Sequence, residues 1–154
     1  MNKMKSNKIL YVDMDNVLVD FQSAIALIPV KTLKEYEGHY DDIPGLFANM
    51  QPMPDAIASF HKLAEYFDTY ILSTAPWMNP SAWSDKLLWV QNHLGDAAKK
   101  RLILSHHKDL NRGDYLIDDR LKHGVTEFRG EHLHFGSARF PHWQSVLDYL
   151  MQDR

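Results

Sequence analysis

Residues 9–21 read ILYVDMDNVLVDF: four apolar residues, Ile9–Val12, and then two carboxylates, Asp13 and Asp15, separated by one methionine. A short, continuous apolar run is the pattern of a strand buried on both faces of a parallel sheet. Packing gives no reason for the acids that end it, because an unpaired carboxylate at a buried strand end costs free energy. Something cationic should meet them. Mg2+ is the first candidate, a hard ion that takes carboxylate, water and phosphate oxygens as ligands. Two positions along an extended chain the side chain returns to the same side, so Asp13 and Asp15 face one place. The plainer alternative is that they cap a helix starting near Val17, but a cap needs only one acid.

Outward from this stretch, apolar runs alternate with segments of helical period, the pattern of an α/β fold with a mainly parallel sheet. The expected strands are 9–13, 69–73, 101–104, 115–118 and 132–135. A helix beginning at Pro54 carries Ile57, Phe60, Leu63, Ala64 and Phe67 on one stripe. A second, 81–94, is expected to turn Trp83, Leu87, Val90 and Leu94 inward and to stop at Gly95. A last helix follows Pro141 and offers Trp143, Val146, Leu147 and Leu150 to the core. The connection 21–53 is too long for a plain loop in a compact domain and reads as a small helical insertion over the site.

The bulk composition excludes several classes. The chain has 154 residues, 45% hydrophobic and 24% charged, with a formal net charge of -3, which fits one self-sufficient domain, 1–154. It contains no cysteine, so neither disulfides nor a thiolate metal site is available. No block of like charges offers a footprint for a nucleic-acid polymer or a membrane. The basic start, residues 1–8, is followed by an apolar run too short for a signal peptide, so a cytoplasmic protein with a loose N-terminal arm is expected. GxGxxG, GxxxxGK[ST] and HExxH are all absent.

Three further places lie at the carboxyl ends of expected strands, where open α/β sheets bind their ligands. Ser73 and Thr74 offer hydroxyls and backbone N–H groups to phosphate oxygens. Lys108 is a point charge of the kind that neutralises a transferring phosphoryl group. Asp118 and Asp119 repeat the first pattern, an apolar strand ending in paired acids. Each has a bland reading on its own: a turn with a surface ion pair for Asp118-Asp119-Arg120, a solvated lysine for Lys108. Together they make one site.

DMDNV, ILST, a lysine and YLIDD, in that order, resemble the four motifs of the haloacid dehalogenase superfamily of aspartate-nucleophile phosphatases. Within it, DMDNVLVDF, PGLFANMQPMPDAI, YILSTAPW and LIDDR make the chain most similar to the 5'(3')-deoxyribonucleotidases. The resemblance covers nearly the whole chain and implies a Rossmann-like core of strand order 5-4-1-2-3, flanked by helices, with a small cap at 21–53. It implies Asp13 as nucleophile and Asp15 as acid and base, with Ser73, Thr74 and Lys108 on the phosphate. Mg2+ would be held by Asp13, the Asp15 backbone carbonyl, Asp118 and Asp119, one of the last two directly and the other directly or through water. The implied substrate is a deoxyribonucleoside monophosphate, hydrolysed through an aspartyl-phosphate.

Phe21 lies where that family places a residue against the base, and Trp77, next to Ser73-Thr74, is a second candidate for the substrate pocket. Tyr36, Tyr40 and Phe47 are further aromatics for which core packing is the simpler account. His106-His107 and His132-Leu133-His134 read as structural or exposed, having no zinc-motif spacing. Two rival readings stand beside the nucleotidase: a phosphatase of the same chemistry for a sugar phosphate or other metabolite, and a non-catalytic phosphate-binding module. A homodimer is left open.

Overall fold

The structure, a computed structural model, describes residues 4–152. Residues 1–3 of the expected arm lie outside the described residues. The arm is tied at its base: the Ser6 N–H donates to the Tyr66 carbonyl at 2.8 Å.

Numbered along the chain, five strands form one parallel sheet: β1 (Ile9–Val12), β4 (Asp68–Ser73), β5 (Leu102–Leu104), β6 (Tyr115–Asp118) and β7 (Glu131–His134). Their order is β5-β4-β1-β6-β7. Two short strands, β2 (Val19–Asp20) and β3 (Gln51–Pro52), pair antiparallel in a separate ribbon. They shift the strand numbers but not the arrangement, which is the expected succession read from its other edge. β1 sits at the centre, with Tyr11 opposite Tyr70 on one side and Leu116 on the other. Alternation divides its side chains. Leu10 and Val12 join the main core, while Tyr11 packs with Leu72, Leu116, Val125 and Phe128 on the opposite face.

The longer helices all contribute to the main core, while the opposite face of the sheet is covered by Val125 and Phe128 at the 3-10 turn Val125–Glu127. α3 (Ala56–Tyr66) buries Phe60 and Leu63 much as its periodicity predicts. α5 (Trp143–Met151) is capped by His142, whose ring accepts from the Ser145 N–H while the Ser145 hydroxyl meets the His142 backbone N–H. The Trp143 indole donates to the Val17 carbonyl at 2.8 Å, tying this helix to the turn after the first acidic motif.

α4 (Pro80–Leu94) differs from its expected orientation. Its buried face is Ala82, Lys86, Trp89, Val90 and Leu94; Trp83 is half-buried and Leu87 is 45% exposed. Val90 and Leu94 are inward as the apolar period predicts, but Trp83 and Leu87 are not fully so, because Ala82 and a lysine hold the first half of the inner face.

The connection from β2 to β3 is made of two short helices, α1 (Phe21–Ile25) and α2 (Val30–Glu35), and two 3-10 turns at Tyr40–Asp42 and Leu46–Asn49. Ile43, Leu46, Phe47 and Met50 belong to the same hydrophobic cluster as the sheet. This segment therefore folds onto the core rather than around one of its own. No helix among the described residues is long and apolar enough to cross a membrane.

Candidate active site

The chain leaves β1 through Asp13 and turns sharply at Asn16, whose φ of 60° is a left-handed conformation that asparagine tolerates better than most residues. The Met14 carbonyl accepts from Val17, Leu18 and Val19 in this turn, which fixes the direction of the two acids. Because β6 is the neighbour of β1, its last residue Asp118 arrives beside Asp13, the juxtaposition expected from the strand order.

Lys108 bridges these two carboxylates. It lies on the 3-10 turn Lys108–Leu110, is 3% exposed, and places Nζ 3.0 Å from Asp13 Oδ1 and 2.5 Å from Asp118 Oδ2. Its backbone N–H donates to the His123 carbonyl at 2.8 Å. That approach needs Gly124, because a Cβ there would collide with the Asp109 carboxylate. Burial by itself would lower the Lys108 pKa, but the charges of Asp13 and Asp118 hold it above the ordinary value.

One ammonium does not balance this cluster. Asp13, Asp118 and Asp119 each bring a carboxylate oxygen within 4.8 Å of the others, and Asp119 Oδ1 is buried with no hydrogen-bond partner. Burial, and next the charge on Asp13, push the Asp118 pKa up to about 6 and that of Asp119 to about 7. Crowded carboxylates with an orphaned buried oxygen are the donor set of a hard divalent cation. The site fits such an ion.

Two imidazoles hold the acid pair from behind. His132 and His134 stack at 5.3 Å, and their Nε2 atoms lie 2.9 and 3.0 Å from the carbonyl oxygens of Asp118 and Asp119. Their role is structural, the backbone of the acidic turn being what they grip. Burial lowers the His132 pKa, which favours the neutral ring.

Asp15 sits two residues on, a quarter of its side chain open, and meets a residue that the sequence reading passes over. Lys86, with a fully buried side chain, places Nζ 3.1 and 3.2 Å from the two Asp15 oxygens and 2.9 Å from the Ser73 hydroxyl. The Phe47 ring covers it with a centroid 4.8 Å from Nζ. Burial raises the Asp15 pKa, Lys86 opposes this and Asp13 adds to it. The one sequence signal for Lys86 is its place on the stripe Ala82, Lys86, Trp89, Val90, visible only once the apolar stripe is rotated.

The two hydroxyls differ in their surroundings. Ser73 is buried beneath the Asp15–Lys86 pair and accepts from Lys86. Thr74 lines the cavity, with its hydroxyl donating to the Ser105 carbonyl at 2.8 Å.

Above the acids opens a cavity of about 680 Å³. Its floor is Asp13, Asp15, Lys108, Asp118 and Asp119; Phe21 and Trp77 both line its walls. Phe21 leans on buried Phe47, and Trp77, 78% exposed, stands beside His106. Tyr40 also reaches the wall, whereas Tyr36 packs against His39 outside it. Arg120 and Lys122 bring positive charge to the opening.

A parallel α/β sheet with acids at the ends of two adjacent strands and a bridging lysine defines the haloacid dehalogenase type of hydrolase. The fold agrees: it superposes on a HAD-hydrolase of Bacillus subtilis with a TM-score of 0.68, at 15% identity over 95% of this chain and 99% of that one. The family model described as 5' nucleotidase, deoxy (pyrimidine), cytosolic type C protein matches residues 31–149. A protein of Vibrio phage KVP40 carrying the name 5'(3')-deoxyribonucleotidase is 58% identical over 151 residues, 98% of this chain and 89% of its own. The human cytosolic-type 5'(3')-deoxyribonucleotidase is 27% identical over 165 residues, 88% of this chain and 77% of its own. The chain belongs to the 5'(3')-deoxyribonucleotidase family.

Proposed function

We propose that this protein is a Mg2+-dependent phosphomonoesterase that dephosphorylates deoxyribonucleoside monophosphates through an aspartyl-phosphate on Asp13. The observation that carries the mechanism is the convergence of Asp13, Asp118 and Asp119, the first two bridged by Lys108, at the floor of a cavity large enough for a nucleotide. Membership of the deoxyribonucleotidase family supports the substrate class.

The Asp13 carboxylate attacks phosphorus in line with the sugar oxygen, forming an O–P bond as the ester P–O bond breaks. Asp15, protonated at this stage, gives its proton to the leaving alkoxide; its raised pKa suits that task. In the second half Asp15 takes a proton from water, whose oxygen attacks phosphorus and releases phosphate and a free Asp13 carboxylate. Lys108 screens the repulsion between an anionic nucleophile and an anionic phosphate. Thr74 faces the transferring group from the cavity wall, while Ser73 keeps Lys86, and through it Asp15, in place. Mg2+ would be held by Asp13, Asp118, Asp119 and the Asp15 backbone carbonyl, and supplies the remaining positive charge against the phosphoryl oxygens.

The segment 21–53 serves as a cap: Phe21 and the turn at Tyr40–Asp42 form part of the cavity wall. Phe21 and Trp77 receive the base. The test is inorganic phosphate release from deoxyribonucleoside and ribonucleoside monophosphates and sugar phosphates, with Mg2+ or with EDTA. Release that needs Mg2+ and favours deoxynucleotides is expected. Mg2+-dependent release confined to non-nucleotide esters would overturn the substrate, and silence across the panel would overturn the activity.

A further inference from the structure

Asn79 occupies the N-cap position of α4, where an asparagine ordinarily accepts from the first free N–H groups of its own helix. Here it makes no such bond. It is 1% exposed, and its side-chain amide donates across to the insertion, to the carbonyls of Asp41 and Ile43, both at 2.9 Å. Its Oδ1 accepts from the Ser81 hydroxyl at 2.6 Å, and Ser81 in turn accepts from the Gly45 N–H at 3.0 Å. The reverse amide orientation would aim Oδ1 at two carbonyls, so the donor set fixes how Asn79 sits.

The two segments so joined both contribute to one cavity. From the insertion come Tyr40, Asp41 and Asp42; from the loop after β4 come Thr74, Trp77 and Met78. That loop is also braced at its middle by the Trp83 indole of α4, which donates to the Pro76 carbonyl at 3.2 Å. We propose that Asn79 is a positioning residue that sets the spacing between these walls, and so selects phosphomonoesters whose organic part is large enough to touch both. The inference rests on the phosphatase reading above and deepens it. A small ester reaches only the floor, Asp13 and Lys108, and does not sense the spacing.

The experiment compares native protein, Asn79→Asp and Ser81→Ala on a deoxyribonucleoside monophosphate and on para-nitrophenyl phosphate. Asn79→Asp is isosteric but loses both donors and sets a charge against two carbonyls. The expected result is a rise in the nucleotide KM, relative to that for the small ester, of about tenfold for Asn79→Asp and about threefold for Ser81→Ala, as the loss of buried hydrogen bonds implies. Equal proportional losses on both esters would mark Asn79 as a merely structural residue and overturn the inference, as would a KM ratio unchanged from native. Should Asn79→Asp fail to fold, Ser81→Ala carries the same comparison, since it keeps the amide donors. The native rate on the nucleotide tests the underlying reading, and the variant-to-native ratio tests the inference.

Discussion

At the scale of single residues the site is a problem in charge. Lys108 is shared between Asp13 and Asp118, and Lys86 pairs with Asp15, so three of the four carboxylates meet a buried cation. Asp13→Asn keeps the shape and removes the proposed nucleophile. Phosphate release should fall by at least about a thousandfold, with nucleotide binding retained in a direct binding assay; turnover within tenfold of native would remove Asp13 from that role. Lys86→Met leaves Asp15 without its partner and should lower kcat about a hundredfold. A native kcat in that variant would mean the pair is dispensable. Asp13, Asp15, Asp118 and Asp119 were legible in the sequence because an acid ending an apolar strand has no packing explanation. Lys108 was legible only by its order in the series. Lys86 was not, since a lone lysine in a helix looks like solvent-facing surface until Asp15, Ser73 and Phe47 are folded around it.

At the scale of elements, the strands were readable and one helix face was not. In a parallel sheet each strand is covered on both sides and becomes an unbroken apolar run, so β1, β4 and β6 stand out. The insertion could be recognised by length alone, because 3-10 turns carry no hydrophobic period to follow. The inner face of α4 is only half legible in its period, Val90 and Leu94 but not Trp89, because its apolar residues are split between an inner face interrupted by Lys86 and an outer face bearing Leu87 and Leu88. Denaturant unfolding distinguishes the two faces. Trp89→Ala should cost about 3–5 kcal/mol, because it opens a cavity in the core and strips the Met50 carbonyl of its 2.9 Å partner. Leu87→Ser should cost under about 0.5 kcal/mol. A reversal of these two values would restore the orientation expected from the period.

For the whole molecule, the acidic cluster couples the site to global stability. Without metal, the folded chain holds protons on Asp118 and Asp119, with pKa values near 6 and 7, more tightly than an unfolded chain with carboxylates near 3.8. The folded state thus binds more protons, and this pair withdraws stability as pH rises from about 4 through 7. A divalent cation acts in the opposite direction and competes with those protons. The rise in Tm produced by Mg2+ should therefore be larger at pH 8 than at pH 5.5, by on the order of 3 °C at equal Mg2+ concentration. A thermal shift independent of pH, or absent at both, would show that the cluster takes no ion. The central place of β1 has a consequence for how the protein is made. Ile9–Val12 is synthesised before both of its sheet neighbours: one flank must wait for Asp68–Ile71, behind the whole insertion and α3, and the other for Tyr115–Ile117. During that interval a sticky strand travels unpaired, with its acids unmatched, and no nascent fragment ending before β6 owns a complete centre. Newly synthesised chains should gain hydrolytic competence only once β6 has emerged, and then all at once.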